Sequence, residues 1–266
     1  MGESSIRAFV LTGPKAYEVQ EVPAPVATRG EVVVAVERVG ICGTDQEFFT
    51  GEMPYLLEGH SHYPMRLGHE WMGTVTRVGP GVDPRWVGSR VTGDTMLGDG
   101  SCRRCRRGNQ HVCEHRGELG IRDGRPGALA EELAVPASSL HRLPDEVDAT
   151  LGALVEPAGN ALRSAWATDA GDGDRVLVLG PGTIGLMTAM FLRADGVEVH
   201  LMGRSETGMS FARQLGFEDV WSEQDLPDLP FDAVVDATNT ARVPALALDL
   251  SLIHISEPTR LESKSR

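Results

Sequence analysis

Hydrophobic and polar residues alternate along the first part of the chain. Between Ile6 and about Leu143, short runs such as IRAFVL, EVVVAVERV and WMGTVTRVG follow this alternation, and clusters of Pro and Gly separate them. A period of two places successive side chains on opposite faces of a strand. This part of the chain is therefore predicted to be β-rich, with long loops.

The pattern changes from about Leu151 onward. LGALVEPAGNALRSAWATD has the spacing of a helix, and RVLVLG is a continuous apolar strand that leads into a glycine turn. A helix through IGLMTAMFLRADG, a strand VEVHLMG, a helix through TGMSFARQLG and a strand FDAVVDAT follow. Strands that alternate with helices predict a parallel sheet. The expected fold class is α/β with two domains, a β-rich domain at 1–155 and a doubly wound parallel sheet at 156–249.

The tail of the chain fits neither pattern. LSLIHISEPTR, from Leu250 to Arg260, matches a translated sequencing-library transposase adaptor codon by codon. Residues 250–266 are therefore expected to be a non-native tail. The alternative is an ordinary C-terminal strand and tail.

The composition indicates a globular protein with a small-molecule partner. The 266 residues carry a formal net charge of −13, which makes nucleic acid or an anionic membrane an unfavourable partner, although a local basic patch can still hold a phosphorylated cofactor. The N-terminus has no basic segment followed by an apolar core, and no apolar run approaches the length of a membrane span. A cytoplasmic protein is expected. The four cysteines fit thiols held by metal in a reducing compartment better than a disulfide framework.

The segment VLGPGTIG predicts a dinucleotide-binding turn. Gly180, Gly182 and Gly185 have G-x-G-x-x-G spacing, directly after an apolar strand and before a helix. The first glycine permits the tight turn, the second lets the backbone approach a pyrophosphate, and the third lets the helix pack closely on the strand. The phosphates would then lie at the helix N-terminus, near Thr183 and Ile184. The alternative is an ordinary tight β-α turn.

The end of the second strand in this series favours NADP over NAD. VHLMGRSE places Gly203, Arg204 and Ser205 where an acidic residue would bind the ribose 2′-hydroxyl. Arg204 can pair with a 2′-phosphate, and Ser205 can donate a hydrogen bond to it. Glu206, one residue further on, speaks for NAD, and Arg204 can also be a solvated loop cation.

Four residues in or beside the β-rich part form the donor set of a catalytic zinc. VGICGTDQE and RLGHEWMG supply Cys42, His69 and Glu70, and LVEPAGNA adds Glu156. A thiolate, an imidazole and a carboxylate can hold zinc with one position open for substrate or water. Taken singly, Cys42 is a buried small hydrophobe, His69 a turn histidine and Glu156 a solvated acid.

Together these segments resemble the zinc-dependent medium-chain alcohol and polyol dehydrogenases. The resemblance covers residues 6 to about 249 and rests on GICGTD, LGHEWMGTV, the cysteine-containing loop, GALAEELAVPASSLHRLP, VEP and VLGPGTIG, in the family's order. It implies an N-terminal GroES-like domain, a Rossmann domain and a C-terminal segment that returns to the first domain. It also implies a homodimer or homotetramer.

The resemblance implies a role for each matching residue. Cys42 and His69 would bind zinc, with Glu70 and Glu156 as acidic ligands that exchange with water. The metal would lower the pKa of an alcohol, Thr44 would pass on its proton, and a hydride would go to the nicotinamide ring.

Two further acids bear on the substrate. Glu47 stands where many relatives have a relay histidine, and ICGTDxE resembles the branch that oxidises sugars, glucose dehydrogenases in particular. Glu118, in RGELGI, lies near that branch's sugar-contacting acid. A polyol or sugar substrate is therefore expected, although Glu47 can equally be a solvated loop acid.

The cysteine-containing loop GDGSCRRCRRGNQHVC resembles the family's structural zinc lobe. Relatives have the spacing C-x2-C-x2-C-x7-C, which implies the ligands Asp99, Cys102, Cys105 and Cys113 here, with aspartate in place of the first cysteine. Zinc accepts a carboxylate oxygen, so the four side chains could hold a second, weaker zinc. The alternative is a metal-free lobe.

The chain is expected to be C-terminally truncated, because relatives run to about 350 residues. Without the missing strands, FDAVVDA would be an exposed apolar edge, and the chain alone would be poorly soluble or inactive. One alternative function is a non-catalytic zinc- or cofactor-binding fragment of the same fold. Another is a zinc-finger nucleic-acid binder, which the net charge opposes despite the cluster Arg103, Arg104, Arg106 and Arg107.

Overall fold

A computed structural model describes residues 4–250 of the chain. The chain divides into two compact units, residues 1–156 and residues 157–266. Apart from Leu250, the tail predicted to be non-native lies outside the described residues. None of the helices within 4–250 has both the length and the apolar character that crossing a bilayer requires.

The first unit is built mainly from antiparallel strands. These are β1 (Ser5–Gly13), β2 (Ala16–Pro23), β3 (Glu31–Gly40), β4 (Glu70–Val78), β5 (Arg90–Gly93), β6 (Met96–Leu97), β7 (Gly117–Glu118), β8 (Glu132–Pro136) and β9 (Leu140–Arg142). Five of them form a sheet in the order β8-β3-β4-β5-β9, while β1 pairs with β2 and β6 with β7. The core on this sheet contains Val32, Val34, Trp71, Val75 and Leu133. The alternating runs therefore bury one side-chain set against the core, as their period predicts.

Three helices interrupt the loops of this unit. They are α1 (Gly43–Thr50), α2 (Pro54–Leu57) and α3 (Ala149–Ala153). The prediction of long loops was wrong at the first two. Short helices such as GTDQEFFT carry too few turns for a helical period to show, and α1 is defined instead by its ends: Cys42 is the N-cap, and Gly51 closes it in the left-handed conformation at φ 83°.

The second unit is a parallel sheet with helices. Its elements are α4 (Val155–Ala167), β10 (Arg175–Leu179), α5 (Thr183–Ala194), β11 (Glu198–Met202), α6 (Glu206–Gln214), β12 (Val220–Trp221), β13 (Ala233–Asp236) and α7 (Val243–Leu250). The strand order is β12-β11-β10-β13, and every pair is parallel. Along β10, Val176 and Val178 join one core cluster, whereas Leu177 and Leu179 join the other. Burial on both faces explains why RVLVL is continuously apolar.

The fold class predicted from the sequence is confirmed: a β-rich first unit is followed by a parallel sheet with helices. The helices α5 and α6 lie where their periodicity places them. The helical run that begins at Leu151 is split at Leu154 into α3 and α4. The short strand β12 and the helix α7 were not predicted from the sequence.

The prediction of an exposed apolar edge at FDAVVDA was wrong in one respect. Within the described residues β13 is an edge strand, because it pairs only with β10. Its side chains from Ala233 to Asp236 are nevertheless all buried, because α7 packs against the face that carries Val234, and Ala233 and Val235 pack into the core cluster on the opposite face. The outer edge of β13 therefore lacks a neighbouring strand within the described residues, but its apolar side chains are covered.

Candidate functional site

Cys42, His69 and Glu70 meet where β3 ends and β4 begins. The Cys42 Sγ lies 3.2 Å from His69 Nε2. One ligand atom from each of the three side chains lies within 4.8 Å of the others. His69 and Glu70 are 5% and 8% exposed, so the group is largely shielded from water.

The pairing of β3 with β4 brings Glu70 to this position. Gly40, the last residue of β3, lies opposite Glu70 in the ladder. A Cβ atom on Gly40 would collide with Glu70 Oε2 and would lie 3.0 Å from Glu70 Cβ. The glycine therefore leaves the space that the carboxylate of Glu70 occupies.

Asp45 supports this group, although it is not itself one of the expected zinc ligands. The backbone N–H of Cys42 donates to Asp45 Oδ2 at 2.9 Å. The other oxygen, Oδ1, lies 3.8 Å from His69 Nδ1, and both atoms are buried without a hydrogen-bond partner among residues 4–250. A histidine that binds metal through one ring nitrogen usually donates from the other to a carboxylate. The available signal was spacing, because Asp45 follows the N-cap Cys42 by three residues, as in a capping box.

The acid–base properties of this group fit a divalent cation. Burial, together with the charge of Asp45, raises the pKa of the Cys42 thiol to about 12. Burial also raises the pKa of Glu70 to about 7; His69 lowers it, while Glu156 and Asp45 raise it further. Acidic groups thus converge in a buried place where each disfavours the ionisation of the next. A metal ion would relieve this repulsion, and the sulfur, nitrogen and oxygen donors are those that zinc accepts.

The other residues predicted for the catalytic centre lie nearby in the first unit. Thr44 and Glu47 are both half-buried residues of α1, two and five positions after Cys42. Glu156 lies in the first turn of α4, and its Oε1 accepts a hydrogen bond from Thr95 Oγ1 at 3.3 Å. It is not among the residues whose ligand atoms lie within 4.8 Å of one another. The structure therefore brings three of the four predicted donors together and leaves Glu156 beside them.

Asp99, Cys102, Cys105 and Cys113 form a second group of possible metal ligands. Their ligand atoms also lie within 4.8 Å of one another. The sulfurs accept hydrogen bonds from the backbone: the N–H of Cys105 lies 3.4 Å from Cys102 Sγ, and that of His115 lies 3.3 Å from Cys113 Sγ. Backbone N–H groups favour a thiolate, and they lower the pKa of Cys102 to about 7.

The Asp99 carboxylate is fixed by three hydrogen bonds within this loop. Its Oδ1 accepts from the backbone N–H groups of Ser101 and Cys102, at 2.8 and 2.9 Å. Its Oδ2 lies 3.0 Å from Nδ1 of His115, a residue that the cysteine spacing did not single out. These contacts hold the pKa of Asp99 well below its usual range, so the carboxylate stays ionised beside the thiols.

Glu118, predicted to lie near a sugar-contacting position, is engaged in an ion pair. It is 4% exposed, and its Oε1 accepts a hydrogen bond from Arg116 Nε at 2.8 Å. The partner explains how a buried carboxylate is tolerated here. Glu118 lies in β7 and is not one of the residues grouped around Cys42.

The three glycines of the predicted dinucleotide turn differ in their surroundings. Gly180 follows β10 with φ 98°, which only glycine adopts without strain. A Cβ on Gly185 would collide with the carbonyl oxygen of Gly180. At Gly182 a Cβ would meet nothing within 4 Å, so the backbone there faces open space. The turn is thus tight at its first and third glycines and accessible at its second.

The N-terminus of α5 follows this open position. Gly182 is the N-cap, no side chain caps the helix, and the first intrahelical bond runs from the N–H of Leu186 to the carbonyl of Gly182. Thr183 and Ile184 therefore carry N–H groups that lie before the helical ladder begins. Such groups, together with the helix dipole, favour a phosphate.

At the end of β11 the structure places Arg204 in solvent. Its Nη2 lies 3.4 Å from Thr240 Oγ1, in the segment after β13. Ser205 caps α6, because its Oγ accepts a hydrogen bond from the N–H of Gly208 at 3.1 Å. Glu206 is held by Arg213 at 3.2 Å. Gly203 packs tightly, since a Cβ there would lie 2.8 Å from Pro181 Cγ.

Glu223 is an acid near Arg204 that no motif in the sequence indicates. It pairs with Arg242 at 2.5 Å, and Arg242 together with Arg204 lowers the pKa of the Glu223 carboxyl. Glu223 follows the two-residue strand β12, whose shortness hid the strand end in the sequence. A carboxylate therefore lies near Arg204, but it follows β12 and not β11.

Comparisons with known proteins identify the family. Residues 28–145 match the alcohol dehydrogenase GroES-like domain. The L-threonine 3-dehydrogenase of Legionella pneumophila (strain Corby) is 36% identical over 198 residues, which cover 74% of this chain and 57% of that protein. The match thus spans little more than half of that relative's length.

Two solved structures share both units. A Sinorhizobium meliloti 1021 protein described as a zinc-binding dehydrogenase, bound to NADP, superposes with a TM-score of 0.83 at 28% identity, covering 94% of this chain and 74% of that chain. The alcohol dehydrogenase TADH of Thermus sp. ATN1 superposes with a TM-score of 0.78 at 30% identity, covering 92% and 74%. The chain belongs to the zinc-dependent medium-chain alcohol and polyol dehydrogenase family.

Proposed function

We propose that this chain carries the zinc-binding and cofactor-binding machinery of a dehydrogenase that transfers a hydride from a secondary alcohol, polyol or sugar hydroxyl to NAD(P), preferentially NADP. The observation that carries the proposal is the buried group of Cys42, His69 and Glu70, with the facing Nδ1 of His69 and Oδ1 of Asp45 behind it. A purely structural cluster has no use for a thiol and a carboxylate whose ionisation is disfavoured by burial and by the neighbouring acids.

The residues of this chain take defined roles in the proposal. Cys42, His69 and Glu70 hold the metal, and Asp45 orients the ring of His69 through Nδ1. When bound, a zinc ion here lowers the pKa of a neighbouring alcohol and so prepares it for loss of a hydride. The Thr44 hydroxyl receives the alcohol's proton and passes it toward solvent. Glu156 lies beside the group and would bind the metal in place of water when the coordination changes.

The second unit supplies the cofactor site in this proposal. The open backbone at Gly182 admits the pyrophosphate, which accepts hydrogen bonds from the first N–H groups of α5. Arg204 pairs with the 2′-phosphate of NADP. Glu223 opposes that preference, because it is an anion beside Arg204 and can instead accept a hydrogen bond from the 2′-hydroxyl of NAD.

The second zinc in this proposal is structural and is held by Asp99, Cys102, Cys105 and Cys113. Its support is the close grouping of the four ligand atoms and the backbone N–H of Cys105, which favours the Cys102 thiolate. The two groups share no residue, so the ligands of one zinc site can be substituted without changing those of the other.

Turnover of a substrate panel tests the proposal. The zinc-loaded chain is offered glucose, galactose, sorbitol, threonine, 2,3-butanediol and simple alcohols with each cofactor, and the reduced nicotinamide is followed by absorbance. Alcohol-dependent reduction would overturn the expectation that the chain alone is inactive, and Thr44→Val should lower its rate by about 100-fold or more, in the range of a lost proton-transfer group. Thr50→Val, the same change at the other end of α1, should leave the rate unchanged. Exclusive turnover of simple alcohols would contradict the polyol or sugar preference.

Affinity for the two cofactors tests the NADP preference separately. Arg204→Ala should weaken NADP binding by about 10-fold or more and leave NAD binding nearly unchanged, since a charged hydrogen bond to phosphate is lost. Glu223→Gln should strengthen NADP binding, because an anion is removed. Arg163→Ala, at an exposed position of α4, is the matched control. Equal effects of Arg204→Ala on both cofactors, measured by calorimetry, would contradict the preference.

A further inference from the structure

The first unit contains a cavity that shares no residue with the metal centre. It has a volume of about 430 Å³, and it is bounded by the β1–β2 hairpin and by residues 61–66 and 121–126. Its apolar wall includes Val10, Val22, Met65 and Ile121. Cavities that bind small molecules span roughly 300–1,000 Å³, so this one is large enough for a small ligand.

Arg66 brings an unpaired positive charge to this cavity. The residue lines the cavity and is partly buried. Its Nε is fully buried and has no hydrogen-bond partner among the described residues. Burial lowers the pKa of the Arg66 guanidinium, which shows that the surroundings disfavour the charge. A partly buried cation that lacks an anion is stabilised by one that binds beside it.

No carboxylate lines the cavity, although the chain has 38 acidic residues against 25 basic ones. The second arginine of the lining, Arg125, differs from Arg66, because its Nη1 is paired with Glu31 Oε1 at 3.1 Å. Within residues 4–250 no ion pair involves Arg66. The described part of the chain therefore supplies no carboxylate that forms an ion pair with the Arg66 guanidinium.

The walls of the cavity are stiff. Pro23, Pro25, Pro64 and Pro126 all belong to the lining. Proline fixes one backbone angle, so the cavity loses little conformational freedom when a ligand enters. The buried hydroxyl of Ser61 already donates to the carbonyl oxygen of Ile121 at 2.5 Å, and Gln20 Nε2 donates to Glu18 Oε2. Arg66 and the exposed His62 are therefore the lining side chains that remain for a polar ligand.

We propose that this cavity binds a small organic anion, whose oxyanion group pairs with Arg66 and whose aliphatic body lies against Val10, Val22, Met65 and Ile121. The guanidinium presents a planar set of donors that matches a carboxylate or a phosphate, and the apolar wall covers the rest of the ligand. The proposal concerns a site other than the one for cofactor and alcohol, so it stands or fails independently of the dehydrogenase function.

Calorimetry on the full chain tests the site with defined probes. Hexanoate and hexyl phosphate distinguish a carboxylate from a phosphate ester, while hexanol lacks the anion and inorganic phosphate lacks the aliphatic body. We expect at least one of the two hexyl anions to bind about 10- to 100-fold more tightly than hexanol or inorganic phosphate, as a charge-assisted pair with arginine provides. Absence of binding by both hexyl anions would overturn the proposal.

Substitution then assigns the binding to Arg66. Arg66→Gln should weaken the hexyl anion by about 10-fold or more, whereas Arg163→Gln, the same charge change on exposed α4, should have no effect. Unchanged binding by Arg66→Gln would overturn the assignment. NADP affinity should be the same in both variants.

A measurement on the unmodified chain covers the case in which Arg66→Gln does not fold. Phenylglyoxal modifies accessible arginines, and peptide mass spectrometry reports which ones have reacted. The hexyl anion that binds should protect Arg66 from modification, while hexanol should not, and Arg163 should react equally in every sample. Modification of Arg66 that is indifferent to both hexyl anions would contradict the proposal.

Discussion

A single glycine decides whether the Glu70 carboxylate can reach the metal centre. Gly40 and Gly43 flank Cys42, and neither has a positive φ. They differ in their surroundings, because a Cβ on Gly40 meets the Glu70 side chain whereas one on Gly43 meets nothing within 4 Å. The pair therefore separates an effect on the ligand geometry from an effect on the backbone.

Gly40→Ala should weaken zinc binding at the centre of Cys42, His69 and Glu70. The added methyl group displaces the Glu70 carboxylate, and the expected loss of affinity is roughly 10- to 100-fold, the range found when the support of a metal ligand is disturbed. Chelator competition and metal analysis measure the change. Gly43→Ala should retain the zinc of this centre. Equal zinc retention in the two variants would contradict the role assigned to Gly40.

Some residues of this centre are indicated by a motif in the sequence. Others are recognised only from their contacts in the folded structure. Cys42, His69 and Glu70 were found from GICGTD and LGHEWMG, because each type is a recognised donor. Asp45 and Gly40 act through other residues, and their role follows from the pairing of β3 with β4 and from the start of α1. Glu223 was missed for the same reason, since its arginine neighbours come from separate segments.

At the scale of an element, the turn between β10 and α5 can be tested with two glycines three positions apart. Gly185→Ala should destabilise the second unit by about 1–3 kcal/mol, because the new methyl group collides with the Gly180 carbonyl in a packed turn. Gly182→Ala should change stability by less than about 0.5 kcal/mol, because its Cβ meets nothing within 4 Å. Thermal unfolding measures both.

In cofactor binding, Gly182→Ala is the variant with the expected effect. Gly182→Ala fills the open space before α5 and should weaken NADP binding, although the fold is unaffected. A Gly182→Ala variant that binds NADP with full affinity would show that the pyrophosphate lies elsewhere.

The cysteine-containing loop is the second element to test, through Asp99. Asp99→Asn keeps an oxygen that can accept from the N–H groups of Ser101 and Cys102 but removes the charge. Asp99→Cys restores a fourth thiolate. We expect Asp99→Asn to lose the zinc of this loop to a chelator faster than the unchanged chain, and Asp99→Cys to lose it more slowly, because thiolates are the better zinc ligands. The same rate of loss in all three would show that Asp99 is not a ligand.

Which elements the sequence indicates depends on their length and on what covers them. β10 was predicted because it is continuously apolar and leads into a glycine turn, and α5 and α6 were predicted because their sequences have the spacing of a helix. α1, α2 and β12 have eight, four and two residues, and their conformation depends on caps or on neighbouring strands. β13 was expected to be an exposed apolar edge because α7, which covers the face that carries Val234, was not recognised.

At the scale of the whole chain, the two proposed functions are assigned to different units. The core clusters around Val32 and Leu11 belong to the first unit, and those around Val176 and Leu177 belong to the second. All proposed metal ligands lie within residues 1–156, and all proposed cofactor-binding residues lie within residues 157–266. Each ligand should therefore stabilise its own unit first, because binding protects only the structure that forms the site.

Hydrogen exchange followed by mass spectrometry tests this expectation, because it measures the protection of each peptide separately. Removal of zinc by a chelator should speed exchange in peptides that cover 97–115 and 40–70, and it should leave peptides from 175–215 unchanged. NADP should slow exchange at 180–186 and 203–208 and have no effect on 97–115, because its proposed contacts are the turn before α5 and the end of β11. A chelator effect of equal size in both units would show that the metals stabilise the chain as a whole and would overturn the separation proposed here.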